Sequence, residues 1–459
     1  MLRSLALVSL AASLVSMGCS NNNNGNDMKP GIIAGGDMAV GGTGGNGGPD
    51  LSMPTSSGDM SGPMIPDLAG LPAPDHDPTQ HPPLPRMTNP ATPGVNTITA
   101  PEVWTVVWNG DKATIGKQVN DFVTWMMTSD YFKNGVKEYG VGAGVAKGVI
   151  ELAAAPPATI TQADLDALVD NNVGKGNWPA ASANLVISLV LDPKTVVVQP
   201  GLPGQPDTPL SCAVFDGYHS VSQTAKVPYL VNAYCNNPQT MAPDFDNLTV
   251  TISHETAEAV TDFDLNSSRA VDPVTGMPYL GGGEDGDLCI SLNTKIMADA
   301  THTYQVQRIY SDAAAALNNV NPCVPDDTAP FFGAGLYGTD AANPSVIQIP
   351  RTASKGSVTV KIEPFSYDPN FGAVGFYVVG SLLPAGVTLS PDIAVRTKNG
   401  MKMGSVAYGN PGSTTMLTVS VDSTFPAAQV GHPQTFLIIA RNVTKTRYNI
   451  WWGTLVVTN

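Results

Sequence analysis

Apolar residues between positions 101 and 324 predict alternating strands and helices. A capping-box pattern, Thr161 with Asp164 three residues later, marks the start of one helix. Short apolar runs predict strands, and apolar residues at three- and four-residue spacing predict helices. The predicted strands are 103–108, 185–191, 212–216 and 227–235, and the predicted helices begin near Ile115 and Thr161. This pattern favours an α+β or α/β layered domain with a mixed sheet.

The region 325–459 has a different pattern, in which short β-branched runs recur between glycine and proline turns. The runs are 346–349, 358–362, 374–379, 416–421, 436–440 and 451–457. Regular short strands of this kind predict an all-β, immunoglobulin-like sandwich. Its sequence holds no catalytic cluster, so we expect a binding or spacer module with a protein or a glycan as ligand. Trp451 and Trp452 are expected to pack within it rather than to form a sugar platform.

The first 18 residues have the pattern of a signal peptide: Arg3, an apolar stretch, and then the small residues Ser16 and Gly18 before Cys19. A cysteine in this position resembles a bacterial lipobox, which implies a lipid on Cys19. The sequence therefore predicts an exported protein anchored at the bacterial cell envelope, at the outer membrane or cell surface. Plain secretion is the alternative. No stretch approaches the ~18 apolar residues of a transmembrane helix.

Residues 19–100 are rich in Asn, Gly, Pro, Asp and Ser and poor in large apolar residues. Such a composition buries too little apolar surface to offset the entropy of ordering the backbone. We predict a disordered tether.

The charge of the chain bears on its partners. The formal net charge is -15, which disfavours nucleic acid or anionic lipid as a ligand. The partners that remain are an extracellular protein or glycan, together with the membrane through the N-terminal lipid.

The chain has five cysteines, and Cys212, Cys235, Cys289 and Cys323 remain if Cys19 carries lipid. Export to an oxidising compartment predicts two disulfides, for which three pairings are possible. We favour Cys212 with Cys235 and Cys289 with Cys323, because each pair brackets a compact stretch.

The segment 246–262 contains the most informative motif. It begins with Asp246 and Asn247, which favour a helix N-cap. On a helix, His254 and Glu258 lie four residues apart on one face with Glu255 beside them. A helix that carries His-Glu-x-x-His offers two zinc ligands and a general base in this way. The sequence therefore predicts His254 and Glu258 as metal ligands and Glu255 as the catalytic base.

A glutamate stands where that motif has its second histidine. A carboxylate binds zinc, but it lowers the Lewis acidity of the metal, and calcium or manganese also become plausible. The competing interpretation is an inert, hydrogen-bonded polar helix.

A glycine-rich acidic stretch, 281–289, follows the helix. Glu284 or Asp287 is a candidate third metal ligand, and Cys289 would pin this stretch to the end of the domain. A solvated turn or a separate calcium loop is the alternative. His219 is a further residue that could line the same site.

Several short motifs occur in order along 101–324: Trp108-Asn109-Gly110, Glu138-Tyr139-Gly140-Val141-Gly142, Gly217-Tyr218-His219-Ser220, Ser253-His254-Glu255, Ala257-Glu258-Ala259, Thr261-Asp262, and Glu284 through Asp287-Leu288-Cys289. Together they resemble the exported phosphate-induced, Exordium-like proteins and their bacterial relatives, which are similar to zincin-type metallopeptidases. The resemblance implies a zincin-like domain with a site at His254, Glu255 and Glu258, helped by Glu284 or Asp287. Phe263 departs from the proline that is common in relatives.

The sequence thus predicts a surface-tethered metal-dependent hydrolase, a peptidase. The competing hypothesis is a non-catalytic surface or adhesion lipoprotein whose zincin-like domain is inactive.

Overall fold

The fold is taken from a computed structural model of the full chain. The structure describes residues 71, 74–88, 97–176, 178–201, 206–213, 215–237, 240–263, 270–271, 283–290, 292–317, 320–325, 330–339, 346–352, 355–368, 370–379, 383–395, 406–444 and 447–459. The predicted signal peptide 1–18 and the predicted lipid site Cys19 lie outside these residues. Within them, no helix combines the length and the apolar character needed to cross a membrane.

The part of the chain up to residue 325 contains all five of the described α-helices. They are α1 Lys117–Thr128, α2 Asp130–Gly135, α3 Gln162–Asn172, α4 Phe245–Thr261 and α5 Asp312–Ala315. The strands are β1 Arg86–Met87, β2 Glu102–Val107, β3 Val145–Glu151, β4 Thr159–Ile160, β5 Leu185–Leu191, β6 Val196–Gln199, β7 Thr208–Pro209, β8 Gly217–Val221, β9 Pro228–Ala233, β10 Ala270–Val271, β11 Asn293–Met297, β12 Thr303–Gln307, β13 Ile309–Tyr310 and β14 Cys323–Val324.

A five-stranded mixed sheet in the order β3-β2-β5-β9-β8 forms the centre of this region. The pairs β2–β3, β2–β5 and β5–β9 are parallel, and β8 joins the edge antiparallel to β9. All seven residues of β5 are buried, as expected for a strand covered on both faces. Helices α1 and α4 pack on one face, and α3 packs on the other. The predicted mixed α/β character is confirmed.

The sequence located α1, α3 and α4 and the central strands β2, β5 and β9, and it made two errors. Within the predicted strand 212–216, Cys212 and Ala213 lie in a turn, because Cys212 has a positive φ of 60° and the amide of Ala213 bonds to the carbonyl of Leu210. Helix α4 is capped by Asp244 rather than by Asp246 or Asn247, because the Asp244 side chain accepts the bond from the amide of Asn247 at 3.1 Å. The predicted capping box of Thr161 and Asp164 is present at α3.

Two disulfides close this region. Cys212 is bonded to Cys235 and Cys289 to Cys323, which confirms the favoured pairing. Disulfides persist in oxidising compartments, so the protein belongs to such a compartment.

The part of the chain from residue 330 contains two further sheets. Its strands are β15 Phe332–Tyr337, β16 Val346–Pro350, β17 Gly356–Ser366, β18 Val374–Val379, β19 Val387–Ser390, β20 Ala394–Val395, β21 Ala407–Gly409, β22 Thr415–Val421, β23 Gln434–Asn442 and β24 Tyr448–Thr458. One sheet has the order β15-β17-β22-β19 and the other β16-β24-β23-β18-β20, with β21 paired to β18. Apolar residues from both sheets share one core, so this part is a β-sandwich. Trp451 and Trp452 are both buried, in agreement with a packing role.

Residues 74–88, here called the N-terminal strap, lie across both parts of the fold. The carbonyl of Pro78 accepts a bond from the amide of Ser366, and His81 Nε2 lies 2.5 Å from the hydroxyl of Tyr367. Further along, Met87 is 2% exposed and pairs with Ala270 in the β1–β10 ladder. The prediction of a disordered tether up to residue 100 is therefore wrong for the strap, because distant backbone partners and apolar contacts compensate for its polar composition.

Candidate metal centre

Helix α4 carries three of the predicted site residues into the interior. All of its residues from 247 to 261 are buried, because the central sheet covers one side and β12 the other. His254 is 1% exposed, and Glu255 and Glu258 are fully buried. One helical turn separates His254 from Glu258, and their side chains meet as the spacing predicts: His254 Nε2 lies 3.0 Å from Glu258 Oε2.

Strand β8 brings His219 to the same place from the antiparallel edge of the sheet. Its ring is fully buried. His219 Nδ1 lies 3.4 Å from Glu255 Oε2 and 3.8 Å from Glu258 Oε2. The imidazole of His219 therefore faces the two carboxylates that α4 contributes.

The segment 283–290, here called the ligand loop, closes the cluster from the other side. Asp287 starts a short 3₁₀ turn, and its carboxylate accepts a 2.8 Å bond from the amide of Gly283. The Gln307 side chain donates to the carbonyl of Gly286 at 2.7 Å. Glu284 Oε2 lies 3.7 Å from His219 Nε2. The loop thus presents two nearly buried carboxylates to the histidines.

Two glycines allow these segments to approach the helix. A Cβ on Gly286 would lie 2.5 Å from Glu258 Oε1 and 2.8 Å from His254 Nδ1. A Cβ on Gly217 would overlap the Thr251 methyl group. Each glycine is therefore required for close contact. Gly286 directly precedes Asp287, and a Cβ on Gly217 would also lie 3.2 Å from Glu255 Oε1.

The potential ligand atoms form two overlapping sets in the described part of the chain. Atoms of His254, Glu258 and Asp287 all lie within 4.8 Å of one another, and the same holds for His219, Glu255 and Glu258. Glu258 belongs to both sets. A third group, Cys212 with Asp216 and Cys235, is discounted because both thiols are consumed in a disulfide.

This donor set fits a divalent cation. Ligands bonded at ~2.0–2.2 Å in a tetrahedral zinc site lie ~3.3–3.6 Å apart, and the 3.0–3.8 Å separations measured between His254, His219 and the glutamates cover that interval. Buried carboxylates are unfavourable unless a positive charge compensates them. The cluster can therefore hold a metal ion with imidazole nitrogens and carboxylate oxygens.

Asp285, within the ligand loop, shows how strongly burial acts here. Its carboxyl group is fully buried, and loss of solvation raises its pKa to about 7, although the Thr261 hydroxyl 3.3 Å away opposes the shift. The environment of Asp285 therefore penalises negative charge.

The structure thus brings His254, Glu255, Glu258, Glu284 and Asp287 together, as their spacing and order suggested. Asp287 belongs to the ligand set that contains His254. Glu284 instead lies near Nε2 of His219. The sequence predicted His219 only as a residue that could line the site, whereas the structure places its ring beside Glu255, Glu258 and Glu284. The sequence feature that could have indicated this position is the run Gly217-Tyr218-His219, a histidine directly after a glycine and an aromatic residue.

No family model and no curated protein matches this chain, so the resemblance to Exordium-like proteins rests on the motifs alone. Among solved structures, the chain is similar to the periplasmic chaperone SfaE, with 9% identity, a TM-score of 0.18, and coverage of 28% of this chain and 56% of the chaperone.

The chain is also similar to wild-type OgpA from Akkermansia muciniphila, with 10% identity, a TM-score of 0.19, and coverage of 78% of this chain and 92% of OgpA. A catalytically inactive OgpA in complex with an O-glycopeptide substrate gives 10% identity and a TM-score of 0.23, with 78% and 93% covered. At such TM-scores none of these structures defines the fold or the function of this chain.

Proposed function

We propose that the protein is an exported metal-dependent hydrolase, a peptidase, whose active site is the cluster on α4. The observation that carries this proposal is the position of Glu255. It lies beside a complete ligand set of His254, Glu258 and Asp287, and its Oε2 is 3.4 Å from the imidazole of His219. A potential base next to a cation site is the arrangement that metal-assisted hydrolysis requires.

His254, Glu258 and Asp287 would hold the cation. Their mixed nitrogen and oxygen donors suit zinc, and calcium and manganese are further candidates. A divalent cation bound there supplies a Lewis acid that polarises a peptide carbonyl and lowers the pKa of water. Two carboxylates among three ligands weaken that acidity relative to a site of neutral histidines.

Glu255 is the general base in this proposal. Its carboxylate accepts the proton of the attacking water and passes it to the leaving amine. His219 faces the same carboxylate and keeps it oriented. Burial excludes bulk solvent and so strengthens each of these interactions.

The alternative function is a non-catalytic surface or adhesion lipoprotein with a purely structural cation. One observation favours it: Glu255 and Glu258 are fully buried and His254 is 1% exposed. Structural zinc sites are closed, whereas catalytic sites keep an open position for substrate. In this alternative the β-sandwich binds an extracellular protein or a glycan. In both proposals the lipid on Cys19 would hold the protein at the outer membrane or the cell surface.

The test is the metal content and the proteolytic activity of the full mature chain, purified without added metal. We expect the zinc held by His254, Glu258 and Asp287 to be retained in Glu255→Gln while cleavage of a fluorogenic peptide library falls at least a hundredfold. His254→Ala should lose that zinc and the activity. The matched control is Glu102→Gln, which removes a surface glutamate 3.4 Å from Lys147 and should change neither.

The outcomes separate the two functions. Bound metal without cleavage of any peptide in the library would favour the non-catalytic alternative. A parent chain that binds no metal, even after zinc is supplied, would exclude both the hydrolase and the structural cation.

A further inference from the structure

We propose that the cluster binds two divalent cations that share Glu258. The first is held by His254, Glu258 and Asp287, and the second by His219, Glu255 and Glu258. This inference rests on the proposed metal dependence of the same cluster and adds a second cation to it.

The first argument is the separation of the two ligand sets. Neither set contains both imidazoles, so each offers one nitrogen and two carboxylate oxygens to its own cation. Glu258 Oε2 lies between the two histidines, 3.0 Å from His254 Nε2 and 3.8 Å from His219 Nδ1. Two-metal hydrolases hold their ions ~3.5–4 Å apart, a distance that one carboxylate can bridge.

The distances around Nδ1 of His219 are compatible with coordination of a common ion. His219 Nδ1 is 3.4 Å from Glu255 Oε2 and 3.8 Å from Glu258 Oε2, whereas a good bond from nitrogen to oxygen is ~2.7–3.2 Å. Atoms at these longer separations match the edges of a coordination polyhedron around a common ion. The nitrogen and the two oxygens are therefore spaced as co-ligands.

Charge gives the second, independent argument. Glu255, Glu258, Glu284 and Asp287 are each less than 9% exposed, and Asp285 in the same loop and Asp262 at the end of α4 are fully buried as well. A second divalent cation would bring two further positive charges to this concentration of buried carboxyl groups. Buried charge without compensation is strongly destabilising.

Glu284 is a positioning residue for the second cation. Its Oε2 lies 3.7 Å from Nε2 of His219, on the opposite side of the ring from Glu255. A carboxylate near the second nitrogen of a metal-binding imidazole favours the tautomer that carries its proton on that nitrogen. At 3.7 Å the effect is electrostatic, because a direct hydrogen bond is shorter. With Nε2 turned toward Glu284, Nδ1 is left to bind the ion. Glu255 would bind this ion through Oε2 and keep Oε1 for proton transfer.

The experiment counts metal ions in the full mature chain and follows manganese loading of the metal-free chain by electron paramagnetic resonance. For the parent chain we expect two ions per chain and the signal of two exchange-coupled manganese ions. For His219→Ala we expect one ion per chain and the signal of an isolated manganese ion. Glu255→Gln should likewise bind one ion. His302→Ala is the matched control, because His302 is an exposed histidine 2.9 Å from Asp299 and its loss should leave two ions.

One ion per parent chain would overturn the inference and leave the proposed hydrolase intact. Two ions in His219→Ala would also overturn it, since His219 would then bind neither. A parent chain without any metal would overturn both proposals. Circular dichroism of each variant shows whether a loss of metal reflects a loss of fold.

Discussion

His254 Nε2 lies 3.0 Å from Glu258 Oε2, one turn further along α4. The contact joins an imidazole and a carboxylate in a fully enclosed helix, where neither can exchange a lost partner for water. The remaining residues of the cluster are held against this pair by glycines, a disulfide and the N-terminal strap, and each of these supports can be tested.

Gly286→Ala tests the close approach of the ligand loop. Gly286 has an ordinary φ of −73°, so the new methyl group acts only through its contacts with Glu258 and His254. We expect metal affinity to fall at least tenfold, measured by competition with a chelator. Gly110→Ala is the converse control: its φ of +94° is strained, but nothing lies within 4 Å of the added Cβ. It should lower stability by about 1 kcal/mol and leave metal affinity unchanged.

Removal of each disulfide should lower stability, but only one of the two removals should also lower metal affinity. Replacing either pair by alanines removes a cross-link over 23 or 34 residues, and each should cost about 3 kcal/mol in the free energy of unfolding. Cys289 belongs to the same 3₁₀ turn as Asp287, so only loss of the Cys289–Cys323 bridge should also weaken metal binding. Equal metal affinity in both double variants would contradict this role.

Truncation tests the N-terminal strap. A chain that begins at residue 97 loses the buried side chains of Leu84 and Met87, which should cost about 3–5 kcal/mol. It also loses the strand partner of Ala270, whose amide bonds to the carbonyl of Gly283. Since Gly283 donates in turn to Asp287, metal affinity should fall as well. A chain that begins at residue 71 keeps the strap and should match the parent in urea unfolding and metal titration.

Asp312 accepts a hydrogen bond from Met87 in the strap, and its contribution to stability should depend on pH. Burial raises the pKa of the Asp312 carboxyl from 3.8 to about 6, so folding favours the protonated form. The contribution of protonated Asp312 to the free energy of unfolding is therefore fully present below about pH 4 and is lost as the pH rises through about 6. Asp312→Asn cannot ionise, and its side-chain oxygen still accepts the 2.8 Å bond from the amide of Met87.

We expect the stability of Asp312→Asn relative to the parent to rise between pH 4 and pH 7, by about 1 kcal/mol once solvent screening of this half-buried group is allowed for. Urea unfolding across that range measures it. A difference that does not vary with pH would show that ionisation of Asp312 does not couple to folding.

The sequence predicted the elements whose cause is local. The apolar run 185–191 is β5, and the spacing of His254 and Glu258 placed both on one side of a helix. Strand β15 was missed because Gly333 and Gly335 interrupt its apolar pattern. The reason for Gly333 is tertiary: a Cβ there would lie 2.6 Å from the ring of Phe365, a neighbour that sequence spacing cannot reveal.

The same limit applies to the site. The role of His219 depends on the antiparallel pairing of β8 with β9, and the order of the strap depends on partners as distant as Tyr367. Strands β8 and β9 are neighbours in the chain, but the contacts of His219 with Glu255 and Glu284 and the contact of the strap with Tyr367 join remote segments. Neither composition nor periodicity encodes such contacts.

The strap also sets an order of events during folding. His81 meets a partner 286 positions later in the chain, and Met87 meets one 225 positions later. Contacts of such long range carry a large loop-closure entropy and form late. The strap is synthesised before the sheets that receive it, yet we expect it to dock after both have formed. In that order the ligand loop gains its support from the strap only at a late stage of folding.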